Sequence, residues 1–141
     1  MLPRMYMIDP KYMCLEHLCD EHGFIHMIQR RLSKGFRLVN FVAFSSTVEP
    51  KRLRERHDQL AAEIVRRGYS HNSPLEEPHT KDLKPYEYNA RVNKYLSVEQ
   101  LMKCDKCRKL IGDSKEILSR KEERTWSSGK KENLKPGLPS V

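Results

Sequence analysis

Apolar residues return at helical intervals in the first third of the chain. Cys14, Leu18, Ile25, Ile28 and Leu32 are separated by four, seven, three and four positions, the spacing of one face of an α-helix. Asp9 before Pro10 supplies a start, because aspartate is a favoured N-cap and proline suits the first helical position, where its missing N–H costs nothing. Gly35 supplies a stop. The pattern predicts a helix over about residues 10–33, weakened in propensity only at Gly23. A second helix is expected from near Glu49-Pro50 to Gly68, with Leu53, His57, Leu60, Ala61 and Ile64 on one face. A third is expected to begin at Ser97, which pairs with Gln100 in the pattern of a capping box, and to close at Gly112.

Between these helices the pattern changes. Residues 36–47 are β-branched and aromatic and read equally well as one strand or as a buried extended crossing. Residues 69–96 hold three prolines and form a connection of a length uncommon inside compact domains unless it is functional. After Gly112 the chain turns polar and charged, with Pro136, Gly137 and Pro139 near its end, so a helical start and a disordered end are expected. No internal repeat is visible. The reading is an all-α domain of three main helices with long connecting loops over residues 1–112, followed by a charged tail over 113–141.

Composition narrows the partners. The 141 residues carry 27 Lys and Arg against 19 Asp and Glu, a formal net charge of +8. The tail accounts for seven of those cations and five of those anions, so 20 against 14 remain in residues 1–112. An excess of this sign favours a polyanion such as nucleic acid. The mean hydropathy is −0.77, and no run approaches the roughly 18 apolar residues of a membrane helix. Arg4, Asp9 and Lys11 interrupt the N-terminus too early for a signal-peptide core. A monomer in an intracellular setting, cytoplasm or nucleoid, without contact to a membrane, is expected.

Candidate chemistry begins on the first helix. Glu21 falls inside the arc of Cys14, Leu18, Ile28 and Leu32, and a carboxylate on an apolar face must be paired, hydrogen-bonded or shifted in pKa. His17 lies one turn before it. The two read either as an acid/base unit or as a structural polar group locking the second helix, against His57 for example. His22 and His26 form another i, i+4 pair on a more polar stripe, read as exposed or as phosphate contacts, since no HExxH-type metal motif accompanies them. Cys104 and Cys107 form one C-x-x-C half-site. A structural zinc site needs four ligands. Cys14, Cys19 and His17 could supply two, although their spacing is that of a helix and not of a second knuckle. Inert thiols are the default reading, and no cofactor is expected. The second helix opens on Lys51, Arg52, Arg54 and Arg56, cations that oppose the helix dipole there and suit an anionic partner or a solvated surface. Trp126, followed by Ser127, Ser128, Gly129, Lys130 and Lys131, could stack on a base or anchor the tail.

Taken in order, these segments resemble a known family. Ile8-Asp9-Pro10, Cys14-x-x-His17-Leu18, Glu21-His22-x-x-Ile25-His26 and Lys34-Gly35 are followed by Glu49-Pro50 and Arg56-His57-Asp58-x-Leu60. Arg67-Gly68-Tyr69-x-His71-x-Ser73-Pro74-Leu75, Arg91-Val92-Asn93 and Cys104-x-x-Cys107 complete the series. Over about residues 4–111 the chain is similar to small cellular relatives of the phage endonuclease V type of pyrimidine-dimer DNA glycosylase.

The resemblance implies an all-helical domain with the chain N-terminus beside the first helix, near damaged double-stranded DNA. It implies that a base is flipped from the stack and that the N-terminal α-amine attacks the sugar C1′. The Schiff base so formed releases the base and permits β-elimination at the abasic site. It further implies that Arg4 matches an arginine next to the reactive terminus, His17 a histidine and Glu21 an acidic position. Two positions depart from the pattern. Phe24 occupies the place of the catalytic glutamate, and the chain begins two residues early, so the amine belongs to Met1, or to Pro3 if the first two residues are trimmed. Glu21, three positions before Phe24 on the same side of the helix, is the candidate replacement. Expected catalytic residues are therefore Glu21, His17 and Met1 or Pro3. Expected DNA contacts are Arg4, His22, His26, Arg30, Arg31, Arg37, Lys51, Arg52 and Arg54, with Arg56 in the same basic cluster. A catalytically inactive DNA-binding member and a zinc-stabilised interaction module built on Cys104 and Cys107 are the alternatives.

Overall fold

Hydrophobic periodicity translates into helix packing. The computed structural model describes residues 3–39, 41 and 46–117, so Met1, Trp126 and most of the tail lie outside the described residues. After a 3₁₀ turn at Pro10–Tyr12, α1 runs Leu15–Ser33. A second 3₁₀ turn, Pro50–Arg52, leads into α2, Leu53–Arg66, and α3 (Pro85–Tyr88), α4 (Lys94–Met102) and α5 (Asp105–Ile111) follow. The fold is all-α, with no strand among the described residues. Leu18, Ile25, Ile28 and Leu32 of α1 are buried in one core with Leu53, Leu60 and Ile64 of α2 and with Val98 and Leu101 of α4. Gly35 and Gly68 end α1 and α2 at φ of 82° and 95°, the left-handed region that glycine enters without steric penalty.

The first helix begins later than its apolar spacing predicts. The Asp9 carboxylate accepts from the Lys11 N–H and closes only the 3₁₀ turn. Met13 and Cys14 are extended, with ψ of 140° and 163°, and Met13 is wholly buried. A continuous helix would direct the Cys14 N–H to the Pro10 carbonyl. That carbonyl instead accepts from Met13, and the Cys14 N–H points to the Cys107 sulfur.

One alternative falls away and one helix start is corrected. Residues 36–47 form no strand where they are described: the chain is pinned by Leu38 in the core and by the Thr47 N–H on the Phe41 carbonyl. The third helix starts at Lys94, not Ser97. The Asn93 side chain accepts from the N–H groups of Tyr95 and Leu96, so it takes the N-cap role one turn earlier and leaves Ser97 buried inside the helix. That helix also breaks, because Cys104 is extended and caps a separate α5. The long connection gains order from Glu87 of α3, whose carboxylate accepts from Arg37 and from the N–H groups of Leu38 and Lys84. Beyond the expected boundary at Gly112, residues 115–117 are helical and Ile117 is fully buried.

The N-terminal segment lies against the helices. The Met5 N–H donates to the Thr47 carbonyl at 2.9 Å, and the Arg4 guanidinium donates to the Asn93 carbonyl at 2.9 Å.

Candidate functional site

Successive turns of α1 present three polar clusters to the rest of the fold. The central one is Glu21, which has no exposed surface. Arg56 of α2 grips it from both sides, Nε to Oε2 at 2.7 Å and Nη2 to Oε1 at 2.9 Å. Such a fork-to-carboxylate pair is directional and strong, and it satisfies the charge that burial would otherwise penalise. Of the two readings of Glu21, this geometry carries out the locking of the second helix, with Arg56 as the partner in place of His57. Arg56 is itself buried, and its remaining donors reach Gln59 and the Met13 sulfur. It belongs to the core face and not to a basic surface. The signal was in the spacing: Arg56 lies three residues after Leu53 and four before Leu60.

Arg4 is also buried, unlike the exposed cations expected at a DNA surface. Burial lowers its pKa, against the opposing pull of the Tyr6 and Glu21 charges. The Tyr6 ring beneath it meets His17 edge-on at 5.7 Å.

At the N-terminal end of α1, Cys14 and His17 meet Cys104 and Cys107 of α5. The four candidate ligand atoms all lie within 4.8 Å of one another. His17 Nδ1 is 3.1 Å from Cys14 Sγ and 3.5 Å from Cys107 Sγ, and the Cys14 and Cys104 sulfurs are 3.9 Å apart. Zinc bonds of about 2.3 Å to sulfur and 2.0–2.1 Å to nitrogen would place tetrahedral ligand atoms roughly 3.4–3.8 Å apart. Both pairs have a cysteine at a helix N-cap and the second ligand three residues on. Backbone N–H groups donate to the sulfurs, Cys14 N to Cys107 Sγ and Cys107 N to Cys104 Sγ. Burial would raise the Cys104 pKa, but the N–H groups of Cys107 and Lys106 and the neighbouring thiols outweigh it and bring the pKa down. Burial pushes Cys107 up. The donor set fits a structural zinc ion. Cys19, the third candidate, is exposed and takes no part.

The third cluster lies one turn further along α1. His22 and His26 face His57 of α2 and His71 of the following loop. His22 Nε2 is 3.1 Å from His57 Nε2 and 3.0 Å from His71 Nε2. Burial, and then the charges that His57, His26 and His71 would carry, push His22 down to about 4. Burial and His57 also lower His26. His22 and His26 were visible in the sequence only as an i, i+4 pair. The contributions of His57 and His71 come from positions 35 and 49 residues away.

A family model described as pyrimidine dimer DNA glycosylase matches residues 4–77, 74 of the 141. The chain belongs to the pyrimidine dimer DNA glycosylase family. No curated protein and no solved structure matches it.

Within this family member, the expected DNA-contacting residues divide sharply. Arg37 pairs with Glu87, Arg52 with Glu49 and Glu55, and Arg54 with Glu77 and the Leu75 carbonyl. Arg30, Arg31 and Lys51 are exposed and make no ion pair among the described residues. Arg30, Arg31 and Lys34 line a shallow groove of about 250 Å³ at the end of α1, with Met27 and Phe36. Phe24 is buried and stacks edge-on against Phe41 at 5.9 Å. Pro3 is exposed next to the buried Arg4.

Proposed function

We propose that the chain acts on damaged duplex DNA as a repair protein of its family. The family match over residues 4–77 carries this reading. The exposed cations Arg30, Arg31 and Lys34 at the groove and Lys51 on the second 3₁₀ turn supply phosphate contacts. Such contacts position a protein on DNA without reading its sequence. The nucleophile in this reading is the N-terminal amine, of Met1 or of a trimmed Pro3. An ordinary α-amine, with a pKa of about 7.7–8.0, keeps an appreciable neutral fraction at physiological pH. The amine nitrogen bonds to C1′ of the damaged nucleotide as the glycosidic bond breaks, and that bond's electron pair leaves with the base. The nitrogen lone pair then opens the C1′–O4′ bond, the ring oxygen taking up a proton, to give the Schiff base. The Schiff base then acidifies the C2′ proton, and its removal expels the 3′ phosphate. Glu21 and His17 are buried, so in this reading they act as positioning residues. Glu21 fixes α1 against α2 through Arg56, and its charge lies close enough to Arg4 to act on it.

Borohydride trapping on dimer-containing and abasic duplexes tests the mechanism. A covalent adduct on either is expected. Absence of adduct on both, with binding intact, overturns catalysis and leaves an inactive DNA-binding member, the reading favoured by the apolar packing of buried Phe24 against Phe41. Binding itself is expected to weaken steeply with salt, and Arg30→Ala with Arg31→Ala is expected to lower the salt slope by about one per residue. Salt-independent or absent binding overturns both readings.

A structural zinc ion joins this picture. The convergence of Cys14, His17, Cys104 and Cys107 favours it, and it would clip α5 to the start of α1. Metal analysis of the purified chain should find zinc, with thiolate-to-metal charge transfer on cobalt substitution. A chain without metal-bound thiolate ends the zinc reading.

A further inference from the structure

The four histidines between α1, α2 and the loop after α2 cannot all be satisfied by hydrogen bonds among themselves. His57 Nδ1 is 2.9 Å from the Asp58 carboxylate. An ionised carboxylate only accepts, so the proton of a neutral His57 resides on Nδ1 and its Nε2 holds a lone pair. That Nε2 faces two more groups, the Ser73 carbonyl oxygen at 3.0 Å and His22 Nε2 at 3.1 Å. A carbonyl oxygen offers no proton. His22 Nε2 can donate to one neighbour only, yet it lies between His57 Nε2 and His71 Nε2. His26 Nε2 is drawn to the same Ser73 oxygen at 3.1 Å. His26 Nε2–H donates to Ser73, whereas the lone pairs of His57 Nε2, of the Ser73 oxygen and of whichever of His22 and His71 does not donate converge. Neighbouring rings are packed with centroids 4.7–5.1 Å apart.

A cation at that point resolves the conflict. One ligand nitrogen from each of His22, His26 and His57 lies within 4.8 Å of the others. Nitrogens bound tetrahedrally at about 2.0–2.1 Å would be roughly 3.3–3.4 Å apart, close to the separations of His22 from His57 and His71. The Asp58 carboxylate on His57 Nδ1 is the outer partner that fixes the tautomer of a metal-binding imidazole and raises its basicity. His22 and His26 sit at i, i+4, so one helix presents both rings on one face.

We propose that His22, His26 and His57 hold a divalent transition-metal ion of the kind imidazole prefers, such as zinc, with His71 as an exchangeable fourth ligand. His71 reaches the group from a loop and approaches His22 Nε2 at 3.0 Å. Only His57 of the four is buried, and the other three are part-exposed. The site is therefore open to solvent, and water or an anionic oxygen of a ligand can take the place of His71. A groove of about 610 Å³ beside it is lined by His57, His71, the cations Arg54 and Arg66, the Asp58 carboxylate and apolar side chains such as Leu75, and gives a ligand oxygen a way to the open position. Neither the repair reading nor the cysteine cluster is needed for this site.

The test is cobalt titration of the full-length protein after chelator treatment and dialysis, with helicity followed by circular dichroism. Two ions per chain are expected, one with thiolate-to-cobalt charge transfer and one with ligand-field absorption alone. The paired substitution His22→Asn with His26→Asn should abolish the second ion and leave the thiolate signal unchanged. If that variant loses helicity, His71→Asn serves instead and should weaken the second ion on the order of tenfold. Absence of an ion without thiolate character in the wild type overturns the proposal. So does a second ion bound equally well by the folded paired variant, or by His71→Asn where that variant is the one used. Loss of the charge-transfer band alone would count against the cysteine site and leave this one standing.

Discussion

Two histidine-bearing clusters share α1, yet they are built for different work. At its start, Cys14 and His17 face Cys104 and Cys107 with Cys14, His17 and Cys107 all buried, and the ligands come from the two ends of the described chain. One turn beyond Glu21, three of the four histidines are half-exposed beside a groove. A closed set of four soft and borderline donors saturates a metal and converts its binding energy into fold stability. An open set of imidazoles leaves a coordination position for another molecule. Between them the Glu21–Arg56 pair fastens α1 to α2, the two helices that carry His22, His26 and His57.

The comparison is broken most severely at the cysteine end. Cys107→Ser is expected to remove the thiolate-bound metal and to destabilise the fold by several kcal/mol, because metal binding there is folding free energy. His26→Asn should lower the melting temperature by less, since an open imidazole site binds its ion more weakly than the closed cysteine set. Equal losses in both variants, measured by thermal unfolding at saturating zinc, would erase the distinction between a structural and an open site.

The clasp comes next. Arg56→Met leaves Glu21 buried and unpaired and should cost about 3–5 kcal/mol. The double substitution Arg56→Met with Glu21→Leu should recover most of that loss, since the stranded charge is then gone. Chemical denaturation of the two single variants and the double variant measures the coupling.

The smallest effect lies on the far side of α2. Arg66 and Arg67 hold the Glu63 carboxyl down at about 2 from its ordinary 4.5. The folded state therefore binds this proton more weakly than the unfolded chain. The stabilisation is complete above the ordinary carboxyl pKa and is lost as pH falls through about 2. Glu63→Gln should thus narrow the stability gap between neutral and acidic pH. Arg66 is largely exposed, so the amplitude is about 1 kcal/mol or less.

Much of the helical frame was legible from the chain. The spacing of Leu18, Ile25, Ile28 and Leu32, and of Leu53, Leu60 and Ile64, marks the faces that pack in the core. Gly35 and Gly68 end their helices as expected. The start of α4 was misplaced because Ser97 and Gln100 match a capping pattern, while Asn93 captures the free N–H groups first. Arg56 was grouped with its exposed basic neighbours because charge counts ignore which face a residue occupies.

Periodicity, caps and composition determined on their own that this chain is helical, basic and without an apolar run long enough for a membrane helix, because those properties are local or additive. The order of its short motifs was enough to point to the family. What they could not determine is which polar side chains meet. Cys14 lies 93 residues from Cys107, and His22 lies 49 from His71. Only the packing of α1 against α2 and α5 brings those atoms within bonding range. Tertiary structure decided that the C-x-x-C has two partners, that Glu21 is clasped by Arg56, and that His22, His26 and His57 bring their ring nitrogens together with His71 against His22.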